Sequence, residues 1–283
     1  MTSQDNGNDS DQVIYLLGFS PLLTGEQISK IEEELPFVES RAFQDITAWF
    51  VHVERSLFEG PQAESNLTDL AWLTPKAIAH QHALDILSSL TAFYPARFGT
   101  LFSSFEILKD IILTNENPLT QFFERMAEKQ EWGIKISVSW SKAVKAFELL
   151  HSESTANPEG SGFNYLRQQK KIRDRDRSVR DWLDQALQAI DNRLLDLSEQ
   201  TCHRRIQANT NDKDREVLAN IALLCQRSDA KELIEWADSY ANHTGKGSES
   251  ITIELTGPWP LFSFCPELLS ITSLEQNASS LTP

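Results

Sequence analysis

Histidines, cysteines, glycines and carboxylates decide which chemistry this chain can support. His80 and His82 stand two residues apart in a stretch that predicts a helix, so their side chains leave on different faces. A helical metal pair needs a spacing of three or four, as in H-E-x-x-H. His52, His151, His203 and His243 are scattered and lack nearby carboxylate–histidine patterns. Cys202, Cys225 and Cys265 lie far apart with no C-x-x-C pair. That argues against a cysteine zinc site and a disulfide framework, and for buried free thiols in a reducing compartment. No G-x-S-x-G elbow occurs, and no cysteine opens a helix where its thiolate would be favoured. Gly25, Gly60, Gly99 and Gly133 are isolated, so no glycine loop cradles a phosphate. Acidic residues are so abundant that a catalytic carboxylate pair is indicated nowhere in particular. The residues therefore predict no catalytic site, no metal and no cofactor.

Charge restricts the partners. The formal net charge is −15, which repels nucleic-acid backbones and anionic lipid surfaces. Lys170, Lys171, Arg173, Arg175, Arg177 and Arg180 form a basic run, but Asp174, Asp176 and Asp181 interleave with it. No aromatic residues accompany it for base stacking. It reads as a solvated helix face laced with ion pairs, the sharper alternative being a contact surface for an acidic protein. Arg97 and Glu131 each sit beside an aromatic in an apolar stretch. They suggest an ion pair tying strand ends together, or two separate charges reaching water. No run approaches the roughly 20 apolar residues of a membrane helix. The polar, acidic residues 1–11 carry no signal-peptide pattern, so a cytoplasmic address is expected.

The elements that position these residues follow from periodicity. Residues 13–19 form a continuous apolar run, a buried strand. Thr24 and Gln27 make a capping box for a helix striped by Ile28, Ile31 and Leu35, which Pro36 ends. Residues 37–43 and 46–53 read as a hairpin turning at Gln44-Asp45. A helix is predicted over 75–90 with Pro75 in its first turn. A short strand over 97–102 and helices over 106–113 and 119–129 follow. Residues 132–138 alternate as a strand, and 152–162 make a Ser/Asn/Pro/Gly linker. Val179, Leu183, Leu187, Ile190, Leu194 and Leu197 give the helix over 165–198 a one-sided seam. Strands over 201–207 and 216–225 (residues 221–224 reading equally as helix, since Ala and Leu are ambiguous there), a helix over 229–242 and a strand over 250–255 complete the pattern.

The 283 residues suit two domains of ordinary size. The expected class is α+β: a disordered lead over 1–11, one α+β domain over 12–130, another over 131–265 with a small antiparallel sheet and a long helix, and a flexible tail over 266–283.

Four segments carry a resemblance. They are Arg97-Phe98-Gly99-Thr100-Leu101-Phe102, Glu131-Trp132-Gly133-Ile134-Lys135-Ile136, Gly162-Phe163-Asn164-Tyr165-Leu166, and Leu255-Thr256-Gly257-Pro258-Trp259-Pro260-Leu261-Phe262-Ser263-Phe264. Asp69-Leu70-Ala71-Trp72-Leu73, followed by His80, adds a weaker match. In this order they resemble the gas vesicle accessory proteins of the GvpL/GvpF family. Leu261-Phe262 replaces that family's usual Pro-Tyr, and Ala96 stands where Val is commoner.

The resemblance implies an N-terminal variation on a ferredoxin-like sheet, no catalytic activity and no cofactor. It implies a role as a minor component or assembly factor of gas vesicles, the protein shells that give cells buoyancy. The partners it implies are the shell protein GvpA and other accessory proteins. The alternative is a small-molecule-binding regulatory module of paired ferredoxin-like domains.

Physically, the shared residues read as fold determinants. Gly99 and Gly133 would allow a bulge or close backbone approach. Pro258 and Pro260 would fix the exit from the last strand, and Trp259 and Phe262 would bury large areas. Partner contacts are expected on the long helix or a sheet face instead.

Overall fold

The computed structural model describes residues 12–151, 164–206, 212, 214–241 and 250–268. The expected lead, the 152–162 linker and the tail from 269 onward lie outside the described residues. Two compact units emerge. The described residues up to Lys129, joined by those from Trp259 on, make the first; Gln130–Pro258 make the second.

The first unit runs β1 (Gln12–Pro21), α1 (Gly25–Glu34), β2 (Glu39–Phe43), β3 (Ile46–Glu54), α2 (Pro61–Thr68), α3 (Leu70–Leu90), β4 (Tyr94–Pro95), β5 (Leu101–Phe102), α4 (Phe105–Thr114) and α5 (Glu116–Met126). Its sheet has the order β2-β3-β1-β4, with β5 also on β1. Helix α1 lies between β1 and β2 in the chain and α3 between β3 and β4, so this is the split βαβ arrangement of a ferredoxin-like sheet.

β1 is apolar on both faces because both are covered. Tyr15 and Leu17 pack with Ile31 of α1, with Leu35 at its C-cap, and with Ala83, Leu84 and Leu87 of α3. On the other face α5 lies against β1 and β4, while α4 meets β2 and β5. The capping box forms as expected: Gln27 N–H donates to Thr24 Oγ1 at 3.3 Å and Thr24 N–H to Gln27 Oε1 at 3.0 Å.

A bulge breaks the β1–β3 register between Leu16 and Gly18. Gly18 sits at φ +154°, and a Cβ there would come within 2.2 Å of the Tyr94 carbonyl oxygen. Only glycine lets β4 approach β1 at this point.

Helix α3 starts earlier than expected. Asp69 caps it, accepting from Ala71 N–H at 2.9 Å, and Pro75 falls inside it. The Asp69 cap satisfies a free donor of the first turn and marks the start, and Pro75, one turn in, leaves one intrahelical hydrogen bond unmade. The strand expected over 97–102 shrinks to Leu101–Phe102.

The second unit runs β6 (Lys129–Ser139), α6 (Trp140–Leu150), α7 (Asn164–Asp196), β7 (Gln200–His203), β8 (Arg215–Gln226), α8 (Ala230–Ala241) and β9 (Ile251–Trp259), with sheet order β7-β8-β6-β9. That order repeats the β2-β3-β1-β4 pattern of the first unit, so both units share one topology. Ile134, Ile136 and Val138 alternate along β6 into a core with Val179, Leu183, Ile190 and Leu194 of α7, as the seam predicted.

The boundary expected at residue 265 is corrected. The segment from Trp259 groups with the first unit. Arg125 Nη2 donates to the Phe264 carbonyl at 3.2 Å, and Tyr94 Oη to the Pro266 carbonyl at 3.3 Å. Leu261, Phe264 and Leu268 are buried and Pro266 is half-buried, so packing against the first unit extends past residue 265.

Candidate functional site

The family-like segments act mostly as structural devices, and the closing one leaves two aromatics exposed. Arg97-Phe98-Gly99-Thr100 forms a turn between β4 and β5. Thr100 N–H and Oγ1 both donate to the Arg97 carbonyl, at 3.2 and 2.7 Å. Gly99 holds φ +83°, and a Cβ there would meet nothing within 4 Å. Its requirement is therefore the left-handed backbone, not the close approach expected from sequence. The turn aims Phe98 at Tyr15 and His80, with ring centroids 6.0 and 5.6 Å away.

On β6, the Glu131 side chain is 1% exposed and receives the guanidinium of Arg204, a partner that sequence reasoning did not suggest. Trp132 joins the core of the second unit. The Gly133 carbonyl accepts from Thr256 Oγ1 at 3.4 Å, and Lys135 Nζ lies 3.8 Å from Glu254. Gly257 makes a close approach of its own. At φ +132°, its Cβ would crowd the Glu131 carbonyl oxygen and the Trp132 ring, each at 3.1 Å. These contacts lock β9 against β6. Tyr165 and Leu166 fall in the first turn of α7, and Gly162 and Phe163 lie outside the described residues.

The closing segment corrects one reading. Pro260, Leu261 and Phe264 are buried as anchors, but Trp259 is 39% exposed and Phe262 41%. The two aromatics expected to fill the core instead present much of their area to solvent. The thiols are corrected too: Cys225 is buried, and Cys202 and Cys265 are half-buried. In the basic run on α7, Arg175 pairs with Asp176 at 2.9 Å and Glu148 at 3.3 Å, and Arg180 lies over the Trp140 ring at 5.5 Å.

The surface best shaped for binding lies in the first unit, over one face of its sheet. It is an apolar cleft of about 460 Å³. Leu17, Val51 and Val53 from β1 and β3 form its floor, and the 35–38 loop after α1 makes one lip. Lys76, Ala79, His80 and Ala83 of α3 make the opposite wall; their i, i+3, i+4, i+7 spacing puts them on one helix face. Phe58 and Phe98 also line it. Phe37, on the lip, is 87% exposed.

A buried polar relay lies in this cleft. Tyr15 Oη meets His80 Nδ1 at 2.9 Å, and His80 Nε2 meets the Ala96 carbonyl at 3.3 Å. A carbonyl only accepts, so Nε2 carries the proton and Nδ1 of the neutral ring accepts from the tyrosine. Gly99 N–H in turn donates to Tyr15 Oη at 3.2 Å. Burial pushes the Tyr15 hydroxyl up to about 12, against a smaller pull from Gly99 N–H. Burial also lowers His80, opposed by its bond to Ala96. The ring is thus kept neutral, and each polar atom of the relay has a partner inside the protein. The cleft floor is saturated and apolar in effect.

Among the described residues, no group of three or more His, Cys, Asp and Glu side chains is arranged to hold a metal ion. Within the same residues, no helix is long and apolar enough to cross a membrane.

Comparison with known proteins gives a consistent picture. The family model described as gas vesicle synthesis protein GvpL/GvpF matches residues 15–266. Gas vesicle protein L of a Streptomyces species is 27% identical over 210 residues, covering 73% of this chain and 75% of that protein. Gas vesicle protein L1 of Halobacterium salinarum is 24% identical over 216 residues, covering 71% and 73%. The crystal structure of the gas vesicle protein GvpF from an Anabaena species superposes with a TM-score of 0.59 at 15% identity, covering 90% of this chain and 97% of that one. That of GvpF from Microcystis aeruginosa gives 0.59 at 14% identity, covering 90% and 99%. At these identities the two structures speak for the fold alone.

Proposed function

Because the chain belongs to the gas vesicle synthesis protein GvpL/GvpF family, we propose that it is an accessory or minor structural protein of gas vesicle assembly. It acts by binding the shell protein GvpA and other accessory proteins, in the cytoplasm and at the vesicle, and it catalyses no reaction. The observation that carries this reading is the family match over residues 15–266, which takes in both units and all four segments. Neither nucleic acid nor membrane insertion enters the account, in keeping with a net charge of −15.

The physical case for a binding role is the pairing of locked segments with open apolar surface. Gly18 and Gly257 let strands close up in the two sheets, while Phe37, Trp259 and Phe262 remain exposed. Large apolar side chains left in water favour association with a partner that covers them. A small-molecule regulatory module would also use an apolar cleft, but it needs free polar groups to orient a ligand. Here Tyr15 and His80 are spent on each other, Ala96 and Gly99, and the remaining polar lining, Glu34, Lys76 and His82, stands on the rim.

Deleting the gene in a gas-vesiculate host and restoring it on a plasmid tests the role. Absent or misshapen vesicles, repaired by the restored gene, are expected. Normal buoyant vesicles after deletion would contradict it.

A further inference from the structure

We propose that the cleft between α3 and the 35–38 loop is a docking groove for an amphipathic helix whose apolar face is flanked by basic residues. For its biological partner the inference rests on the protein-binding role above; the groove itself is argued from its own walls.

Apolar chemistry follows from the lining. Leu17, Val51, Val53, Ala79 and Ala83 offer no polar handle, and the relay beneath them has its hydrogen bonds made internally. A volume of about 460 Å³ accepts several apolar side chains of the kind one helix face presents. Phe37, at 87% exposure, stands on the lip where such a face would cover it.

The floor strands decide between a helix and an extended peptide. β1 lies between β3 and β4, and β3 lies between β2 and β1. Both are inner strands, so the cleft exposes no free strand edge to pair with an incoming strand. An occupant must bring a backbone whose hydrogen bonds are already made, which an α-helix does.

The lips decide the charge. Glu34 lines the cleft, and Glu32 and Glu33 are exposed on the same turn of α1. No basic residue stands in that last turn, and the helix C-terminus adds partial negative charge of its own. Lys30 lies one turn back. On the opposite wall Lys76 is drawn over the Trp72 ring at 4.2 Å. The uncompensated field at the α1 lip is negative, and the chain's overall charge steers cationic partners toward it.

The test uses the full-length chain and a fluorescently labelled helical peptide of about 18 residues built from Leu and Lys, titrated by anisotropy. Saturable binding that weakens as salt rises is expected. Ala79→Trp fills the groove from an exposed position, and it should weaken binding at least tenfold. Phe37→Ser, at a site too exposed to matter for folding, and the triple change Glu32→Gln, Glu33→Gln, Glu34→Gln should each weaken it severalfold. No binding, binding indifferent to Ala79→Trp and Phe37→Ser, or equal binding of a Leu–Glu peptide would overturn the proposal. So would capture of a small apolar dye that the peptide cannot displace.

A parallel titration with purified shell protein separates the two readings. If the shell protein still binds Ala79→Trp as tightly as the unaltered chain, the groove is not its site and the assembly role stands. If the peptide obeys the groove variants but the shell protein never binds, the groove stands and the assembly partner is wrong.

Discussion

Replacing Tyr15 by Phe removes one oxygen and keeps the ring, so the cost can be worked from two hydrogen bonds. The ring contacts with Phe58, His80 and Phe98, at centroid distances of 5.4, 5.6 and 6.0 Å, survive the change. The lost hydroxyl donates to His80 Nδ1 at 2.9 Å and accepts from Gly99 N–H at 3.2 Å. Gly99 is exposed, so water can take over its N–H at little expense. His80 is 8% exposed and has no such replacement. Switching tautomer does not help, because Nε2 would then lose its donation to Ala96. An orphaned buried acceptor costs about 1–3 kcal/mol, and the total should be about 2 kcal/mol. Native-state hydrogen exchange at β1 and β3 amides reads this as a roughly 30-fold loss of protection. The double variant Tyr15→Phe, His80→Leu removes donor and acceptor together and should cost less than the sum of the single changes. A single-variant cost below about 0.5 kcal/mol, or strict additivity, would refute the relay as drawn.

Three further outcomes follow from the same contacts. His80 is held neutral by burial with its folded pKa below the ordinary 6.5; between those values the unfolded chain binds more protons. The stability it contributes is therefore full above about pH 6.5 and is lost as pH falls through the folded value. Melting curves from pH 8 to 5 should be flatter for His80→Gln than for the unaltered chain, and matching slopes would count against this. Phe264, 4% exposed, should cost about 3–5 kcal/mol when changed to Ala, whereas Trp259, 39% exposed, should cost under about 2 kcal/mol; urea unfolding ranks them. Gly18→Ala meets backbone at 2.2 Å and should cost about 3 kcal/mol or more, while Gly99→Ala, facing open space, should cost about 1–2 kcal/mol from its φ alone. Equal costs for the two would mean that crowding at Gly18 is relieved by a backbone shift.

Local signals were legible and non-local ones were not. β1 reads from its apolar run because two covered faces demand apolar residues at every position, and α1 reads from Thr24 and Gln27 because a capping box is a contact within one turn. The seam of α7 shows for the same reason. Pro75 misled because a proline is as strong a start signal as Asp69, and only the cap contact separates them. Among the side chains of helix α2 described from residue 63 on, only Ala63 is buried, which leaves no stripe to find there. Helix α6 carried usable signals, since Ser139 caps it and Ala143, Val144 and Phe147 form a stripe toward the core; sequence reading passed over them. Gly18 looks ordinary until β4, some 75 residues later, is placed against it. The cleft was hidden for the strongest reason: Tyr15, Phe37, Val53, His80 and Phe98 come from separate parts of the first unit, and no spacing along the chain brings them together. Trp259 was misjudged because an aromatic between prolines suggests a core anchor, a task that falls to Leu261 and Phe264.

The proposed binding of the gas vesicle shell protein is measured by titrating the purified full-length chain against purified GvpA, followed by co-purification from the native host. Saturable binding of the two purified proteins and recovery of GvpA with the chain from cells are expected. An intact, folded chain that shows no binding to GvpA in either setting would contradict it.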